Sequence, residues 1–318
     1  MKVLVTGASG TIGRPLVAAL AQAEHAVRAA MRNPDPHAFG AGVETVRLGD
    51  LAAPIDWSPL VAGADAIVHL AGIAHIGTQF SAEQYDRVNR RATDDLAQAA
   101  ARAGVRQLVL ASSIRAQIGT HAAHALSEAD PPRPTEPYGR SKLAAEEAVR
   151  RAGLASTILR PVLVYAPGAK GNLASLIRLA RSPLPLPFGR IDNRRSLLAV
   201  ENLIAAIRFA LEDARAVNET FIVADPQAVS VAEIVAICRH ALGRRSGLVA
   251  FPAAPLRALF ALAGQRERWN RLAGSLEAPP TKLMAAGWKP VLTTEAGLAA
   301  LVQAASPRKS GTASRSTP

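Results

Sequence analysis

Short apolar runs alternate with longer amphipathic segments over the first half of the chain. The apolar runs predict six strands, at residues 2–6, 26–31, 44–48, 66–70, 106–111 and 156–159. The segments with helical spacing predict helices at 12–22, 82–103 and 139–152. Strands and helices that alternate in this way form parallel βαβ units. The pattern therefore predicts an α/β fold with a doubly wound parallel sheet of the Rossmann type.

The pattern changes after Arg160. Proline and glycine become frequent from 161 to 189, and the alternation turns irregular. We therefore expect a dinucleotide-binding domain at 1–160, with later elements around 197–225 returning to it, and a smaller C-terminal substrate-binding lobe over 161–305. Residues 306–318 are mostly small, polar or basic, which predicts a disordered tail.

The first predicted strand leads directly into a glycine-rich turn. Gly7, Gly10 and Gly13 are spaced as Gly-x-x-Gly-x-x-Gly and open an amphipathic helix. Glycines allow a tight turn and close backbone approach, and the helix N-terminus offers free N–H groups to a pyrophosphate. The turn, which includes Thr11 and Ile12, therefore predicts a site for a nicotinamide dinucleotide.

The ends of the next strands supply further candidate cofactor contacts. NAD enzymes usually carry a carboxylate at the end of the second strand, whereas this chain has Arg32. An arginine there suits a 2′-phosphate, so we favour NADP(H) slightly over NAD(H). Asp50 and Leu51 follow the third strand and suit an adenine contact. Ala71 and Gly72 follow the fourth strand and are small enough to lie beside the cofactor.

Tyr138 and Lys142 lie four residues apart, which puts both on one face of a helix. An ammonium group beside a phenol lowers the pKa of the phenol, so Tyr138 is expected to act as an acid and base. Ser113 follows the fifth strand, at the sheet edge where ligands bind in such folds, and is expected to hydrogen-bond the reacting oxygen. These three residues are the candidate catalytic residues.

Together with the glycine turn, these residues resemble the extended short-chain dehydrogenase/reductase family of nucleotide-sugar epimerases, dehydratases and ketoreductases. The similarity runs from residue 1 to about residue 300. It implies cofactor contacts from Asn89 and Pro161, besides Tyr138 and Lys142. Relatives commonly dimerise through two long helices, which correspond here to 82–103 and 139–152, so the resemblance also implies a homodimer.

The resemblance implies a substrate site on the open side of Tyr138. Ser113 would contact the substrate, and Arg195, in the segment 189–196, would bind its diphosphate. Asn172 and Arg271 are weaker counterparts of residues at the nucleotide site. Many relatives have an asparagine where this chain has Leu163, so that substrate contact is lost or supplied by another residue.

The resemblance also narrows the reaction. The 4,6-dehydratases of the family have an Asp-Glu pair directly after the strand-end Ser or Thr, where this chain has Ile114-Arg115. The 3,5-epimerase/reductases use a Cys–His pair, and Cys238 lies far along the chain from Ser113. Two reactions remain, both at C4 of a nucleotide-activated, UDP-linked hexose.

Of these two reactions we favour reduction of a 4-keto sugar, because several segments most resemble UDP-4-keto-6-deoxy-N-acetylglucosamine 4-reductases. Epimerisation at C4 with tightly bound NAD is the alternative. A non-catalytic dinucleotide-binding protein and a ketoreductase of an apolar carbonyl compound are weaker hypotheses.

Composition restricts the partners. Among the 318 residues, 37 are Lys or Arg and 25 are Asp or Glu, for a formal net charge of +12. The arginines are scattered with few aromatic residues between them, which argues against nucleic acid. A single cysteine and the absence of a signal-like segment before the first strand favour the cytoplasm. The apolar stretch 248–264 is too short to span a bilayer, and contact with a membrane surface is its weaker interpretation. We expect no metal site.

Overall fold

A seven-stranded sheet forms the centre of the computed structural model, which describes residues 1–73, 80–167 and 172–304. Its strands lie in the order β3-β2-β1-β4-β5-β6-β9, and every neighbouring pair is parallel. The predicted fold class is confirmed. The strands are β1 (Lys2–Thr6), β2 (Ala26–Met31), β3 (Val43–Arg47), β4 (Ala66–His69), β5 (Gln107–Ala111), β6 (Ser156–Pro161), β7 (Leu163–Tyr165), β8 (Leu197–Ala199) and β9 (Thr220–Val223).

Helices cover both faces of this sheet. They are α1 (Gly13–Gln22), α2 (Ser58–Val61), α3 (Ala82–Tyr85), α4 (Ala92–Arg102), α5 (Pro137–Arg151), α6 (Asn172–Arg181), α7 (Val200–Glu212), α8 (Val231–Ala241), α9 (Ala253–Leu262), α10 (Arg266–Ala273), α11 (Thr281–Ala285) and α12 (Thr294–Ala304). Within the described ranges, none of them is long and apolar enough to cross a lipid bilayer.

The two layers of helices follow from the alternation of side chains along each strand. Val3 and Val5 of β1 pack in one cluster with α1 and α7, whereas Leu4 packs in the other cluster with α2, α4 and α5. All three side chains are fully buried. A strand that is apolar on both faces belongs inside a doubly covered parallel sheet.

The observed elements differ from the sequence prediction in one helix and in the number of strands. The predicted helix 82–103 is broken, because a π-helical turn, Asp86–Arg91, separates α3 from α4. The seventh strand, β9, lies among the elements around 197–225 that were expected to return to the first domain, but it was not predicted as a strand. It pairs with β6 although it lies some 60 residues further along the chain. A small second sheet pairs β7 with β8. Strands of three or four residues carry little periodicity, and β7, β8 and β9 lie after residue 160, where the regular alternation that marks β4 is lost.

A third apolar cluster forms the core of the lobe, by which we mean α6, α8, α9, α10 and α12 with their connections. The buried guanidinium of Arg239 holds the connections together. It donates hydrogen bonds to the carbonyl groups of Ala180, Ser182, Leu184, Ser246 and Gly247. Two connecting segments, 184–189 and 247–251, are hydrogen-bonded side by side, and the second of them leads into α9.

Candidate active site

Close backbone packing requires glycines in the turn after β1. Gly7 has a φ of +71°, and its carbonyl accepts a hydrogen bond from the Gly10 N–H at 3.0 Å. A Cβ atom on Gly13 would lie 2.2 Å from the Gly7 oxygen, and one on Gly7 would lie 2.9 Å from the Ala71 nitrogen. Side chains are therefore excluded where α1 meets the ends of β1 and β4.

This turn fits the pyrophosphate of a dinucleotide. No side chain caps the N-terminus of α1, and its first turn carries no acidic residue that would repel an anion, so the positive end of the helix can receive one. The turn lies where β1 and β4 are neighbours and the connections diverge to opposite sides of the sheet. Ligands of doubly wound sheets bind in the crevice at such a point.

The other candidate cofactor residues lie along the same edge of the sheet. Arg32, directly after β2, is exposed, and so are Thr11 and Asp50, whereas Ile12 and Leu51 are half-buried. One carboxylate oxygen of Asp50 accepts a hydrogen bond from the Ala52 N–H at 3.0 Å. Their contacts with a cofactor stay predictions.

Asn89 is buried in the π-helical turn and holds the chain that follows β4. Its Oδ1 accepts a hydrogen bond from the Ile73 N–H at 2.8 Å, and its Nδ2 donates to the Ile73 carbonyl at 3.1 Å and to Ser141 Oγ at 3.0 Å. A Cβ atom on Gly72 would lie 2.8 Å from the same Oδ1. π-helical turns occur often at functional sites. Here the turn joins the end of β4 to α5.

His69, the last residue of β4, stands at the centre of a buried hydrogen-bond network. Its Nδ1 lies 2.7 Å from Thr6 Oγ1, and its Nε2 lies 3.0 Å from Thr93 Oγ1. The Thr93 hydroxyl donates its proton to the Asn89 carbonyl, so it accepts from Nε2–H, and the Thr6 hydroxyl then donates to Nδ1. Burial, with a smaller effect of the Lys142 charge, lowers the pKa of His69 to about 3. The imidazole is therefore neutral at physiological pH.

This neutral histidine is expected to make the protein less stable in mild acid. Above pH 6.5 neither the folded nor the unfolded chain protonates it. Below pH 6.5 only the unfolded chain takes up the proton until the pH reaches about 3, so stability is lost over that window. By pH 5 the free energy of unfolding should fall by about 2 kcal/mol on this account.

Urea unfolding of the wild type and of His69→Gln at pH 7 and pH 5 measures this effect. The difference between the two pH values should shrink by about 2 kcal/mol in the variant. His240→Gln, which replaces an exposed histidine on α8, is the control and should keep the wild-type difference. An unchanged difference in His69→Gln would contradict the assignment.

The three candidate catalytic residues come together at the carboxyl ends of β5 and β6. Tyr138 and Lys142 lie on the inner face of α5 and are both buried, at 7% and 8% exposure. Lys142 Nζ donates a hydrogen bond to the Ala111 carbonyl, at the end of β5, at 2.6 Å. Ser113 accepts a hydrogen bond from the Arg115 N–H at 3.2 Å, and its hydroxyl acts to lower the pKa of Tyr138.

The electrostatics of Tyr138 differ from the sequence prediction. Burial raises the pKa of Tyr138 above its usual value, and the hydrogen bond from Ser113 and the charge of Arg115 oppose this increase. Burial also lowers the pKa of Lys142 from 10.5 to about 8. The predicted stabilisation of the phenolate by Lys142 was wrong for this state, because burial disfavours both charged forms. Tyr138 is held as a neutral proton donor.

Arg115 is the site residue that sequence reasoning missed. Its Nη2 donates to Glu136 Oε1 at 2.7 Å, and Glu136 lies at the N-terminus of α5, two residues before Tyr138. Arg115 Nε and Glu136 Oε2 are buried without a hydrogen-bond partner among the described residues. Buried polar atoms are nearly always paired, so both are candidates for contact with a ligand. The only signal in the sequence was a basic residue two positions after Ser113.

Arg195 lies on the lobe side of the same site. Its backbone N–H and carbonyl both pair with Val229, and its Nη1 donates to the Gly274 carbonyl at 2.9 Å. Burial and the charge of Arg115 lower the pKa of Arg195. The two guanidinium groups therefore lie close enough to repel each other, and an anion between them would relieve that repulsion.

The remaining predicted residues are only partly placed. Pro161 ends β6 and is buried, and Leu163, two residues later, is half exposed. The side chains of Asn172 and Arg271, like the tail 306–318, lie outside the described part of the chain. Their predicted roles stay predictions.

The Rossmann sheet, the glycine turn and the Ser113, Tyr138 and Lys142 cluster define a nicotinamide-dependent enzyme of the short-chain dehydrogenase/reductase type. Comparison with known families agrees with this class. The model of the NAD dependent epimerase/dehydratase family matches residues 3–224. The chain therefore belongs to the NAD dependent epimerase/dehydratase family.

Similar proteins include both an epimerase and a reductase. The chain is 32% identical to a UDP-glucose 4-epimerase of Vibrio cholerae over 95% of this chain and 94% of that protein. It is 35% identical to a ceramide reductase of Caulobacter vibrioides over 64% of this chain and 59% of that protein. Its structure resembles that of MoeE5 in complex with UDP-glucuronic acid and NAD, with a TM-score of 0.74 and 27% identity over 96% and 98% of the two chains.

Proposed function

We propose that this enzyme reduces a 4-keto sugar carried on UDP, with NADPH as the hydride donor. The observation that carries the proposal is the burial of Tyr138, Ser113 and Lys142 at the carboxyl end of β5, where Lys142 Nζ donates to the Ala111 carbonyl. Hydride transfer to a carbonyl leaves an alkoxide that needs a proton. A neutral tyrosine held by a serine is placed to supply that proton.

The residues of the chain divide the work of this reaction. The nicotinamide supplies the hydride. Ser113 hydrogen-bonds the C4 carbonyl oxygen and orients it toward Tyr138, which donates its proton to that oxygen as the alkoxide forms. Lys142, anchored on the Ala111 carbonyl, restores a proton to Tyr138. Burial of all three residues excludes bulk water from the reacting atoms.

The residue that follows β2 favours both NADPH and a reductase. The position that would carry the ribose-binding carboxylate of an NAD enzyme is held by Arg32, whose side chain is exposed at the sheet edge that carries the glycine turn. An exposed arginine suits the 2′-phosphate of NADPH. A reductase must also exchange its cofactor at every turnover, whereas a 4-epimerase retains bound NAD.

C4 epimerisation of a UDP-hexose is the second candidate. It is favoured by the 32% identity to a UDP-glucose 4-epimerase over nearly the whole of both chains. The same three catalytic residues serve this reaction, with Tyr138 first accepting and then returning the proton of the C4 hydroxyl. Because the catalytic residues are the same, the two candidates are distinguished by whether the cofactor is retained or exchanged.

Identification of the co-purified nucleotide separates the candidates. The purified protein is denatured, and any released nucleotide is identified and counted against the protein. An empty protein that binds NADPH more tightly than NADH supports the reductase. Stoichiometric NAD, together with interconversion of UDP-glucose and UDP-galactose, would overturn it in favour of the epimerase.

We further propose that Arg195 binds the substrate diphosphate. Arg195→Leu is expected to weaken binding of a UDP-sugar by about 10-fold to 100-fold, because hydrogen bonds to charged groups each contribute about 1.5–3 kcal/mol. Affinity for the dinucleotide should not change. Titration calorimetry with UDP-glucose and with NADPH measures both affinities.

The neighbouring arginine provides a matched control. Arg194 has a half-exposed side chain and lies 3.6 Å from Glu233, an ion pair of small energetic weight. Arg194→Leu should bind the UDP-sugar like the wild type. Equal affinities of all three proteins for UDP-glucose would mean that Arg195 does not bind the diphosphate. Absence of UDP-glucose binding in the wild type would favour an apolar carbonyl substrate.

A further inference from the structure

One surface of the lobe exposes large apolar side chains. Helix α9 is apolar on both sides: Leu256 and Phe260 pack inward in the lobe core, whereas Leu259 and Leu262 are 61% and 87% exposed. A helix that is apolar all round normally lies inside a core. Here one face of such a helix remains open.

The connections beside α9 also expose apolar side chains. Leu184, Val249 and Phe251 are exposed, and they lie on the two paired segments whose carbonyl groups accept hydrogen bonds from Arg239. We call these three residues, with Leu259 and Leu262, the α9 surface. Exposed apolar side chains that occur together mark sites of contact with proteins or membranes.

The stretch of sequence that contains α9 is strongly basic. Between residues 239 and 276 the sequence contains seven arginines and one acidic residue, Glu267. Five of the arginines have exposed side chains, namely Arg244, Arg245, Arg257, Arg266 and Arg268. Apolar side chains bordered by arginines are the combination that binds the interface of an anionic membrane, since the former enter the acyl boundary and the latter contact phosphates.

We propose that the α9 surface docks on an anionic lipid bilayer. Leu259 and Leu262 enter the interfacial region, and the exposed arginines contact the phosphates of the headgroups. A second copy of the chain is disfavoured as the occupant, because a two-fold interface would place one set of arginines against the same set. The dimer implied by the family resemblance would use residues 82–103 and 139–152, which are not part of the α9 surface.

The α9 surface belongs to the same packed unit as the substrate-binding arginine. The ring of Phe260 on α9 packs against Trp269 on α10 with centroids 5.6 Å apart. The chain that follows α10 accepts the hydrogen bonds of Asn193 and Arg195 at the Gly274 carbonyl. A docked lobe therefore holds this side of the active site beside the bilayer.

Sedimentation with lipid vesicles tests the proposal on the full chain. Vesicles of phosphatidylcholine containing about 30% phosphatidylglycerol are compared with vesicles of phosphatidylcholine alone. The wild type should bind the anionic vesicles at least tenfold more strongly, and high salt should remove most of the binding. Leu259→Ser/Leu262→Ser should bind at least tenfold more weakly than the wild type. Arg257→Gln/Arg268→Gln should show a similar loss.

Val291→Ser/Met284→Ser is the matched control, because both side chains are exposed but lie outside the α9 surface. It should bind anionic vesicles like the wild type. Equal binding of the leucine variant and the control would overturn the proposal, as would equal binding of the wild type to both vesicle types. Sedimentation velocity tests whether a second copy of the chain binds there instead. If the wild type is a dimer and the leucine variant is a monomer, the α9 surface serves self-association and the proposal is overturned.

Discussion

Tyr138→Phe is expected to lower kcat by about 10²-fold to 10⁴-fold, the usual contribution of a positioned acid or base. In the proposed reaction the hydroxyl exchanges the proton of the C4 oxygen, whereas the ring is packed with its centroid 5.9 Å from that of Tyr85. Phenylalanine keeps the ring and removes the proton. The rate is measured under saturating substrate by the absorbance of reduced nicotinamide.

Two further measurements show whether the loss is chemical. The unfolding midpoint and the affinity for the dinucleotide should match those of the wild type, since the hydroxyl contributes to neither packing nor the glycine turn. A Tyr138→Phe protein that retains kcat within tenfold of the wild type would rule out Tyr138 as the acid. If the biological role also survived this substitution, the chain would be a dinucleotide-binding protein rather than an enzyme.

Arg160→Met is expected to lower the free energy of unfolding by about 3–5 kcal/mol, because it removes the guanidinium that contacts both oxygens of a buried carboxylate and leaves only the longer, part-exposed ion pair with Arg150. Arg160 is 4% exposed and Glu146 is fully buried. Arg160 Nε and Nη2 donate to the two oxygens of Glu146 at 2.9 and 2.7 Å, and Nη1 donates to Gln117 Oε1 at 3.0 Å. The pair joins β6 to α5 one helical turn beyond Lys142.

An exposed pair on another helix supplies the comparison. Arg208 and Glu212 of α7 form an ion pair at 3.3 Å with both side chains about 40% exposed. Arg208→Met should lower the free energy of unfolding by less than about 1 kcal/mol. Urea unfolding of the three proteins tests the contrast. A cost below about 1 kcal/mol in Arg160→Met as well would mean that water reaches Glu146.

The sheet and the catalytic cluster were predictable because their signals are local. β1 and the glycine turn are contiguous, and Tyr138 and Lys142 are separated by one helical turn. Strand β9 was not predictable in the same way. Its four residues acquire their place only by pairing with β6, which is a non-local contact.

His69 and Arg115 show where sequence reasoning ends. In the sequence His69 is a polar residue at the end of an apolar run, and its importance comes from two threonines that are distant in the chain, Thr6 and Thr93. In the sequence Arg115 was used only as evidence against a dehydratase, because it stands where the dehydratases have an acidic residue. The ion pair with Glu136 and the electrostatic effect on Arg195 arise from the fold. Side chains that act through distant partners leave no periodic pattern.

Because β9 pairs with β6, the chain cannot be cut after β6 without opening an edge of the sheet. A fragment ending at residue 160 would contain the glycine turn and all three catalytic residues but would lack β9 and the helix α7 that precedes it. It would expose the backbone of β6 as an open edge and the apolar sheet face that α7 covers. Open edges of this kind template association between chains. Truncated, permuted or chimaeric versions of this protein should therefore keep residues 200–223 together with the N-terminal half.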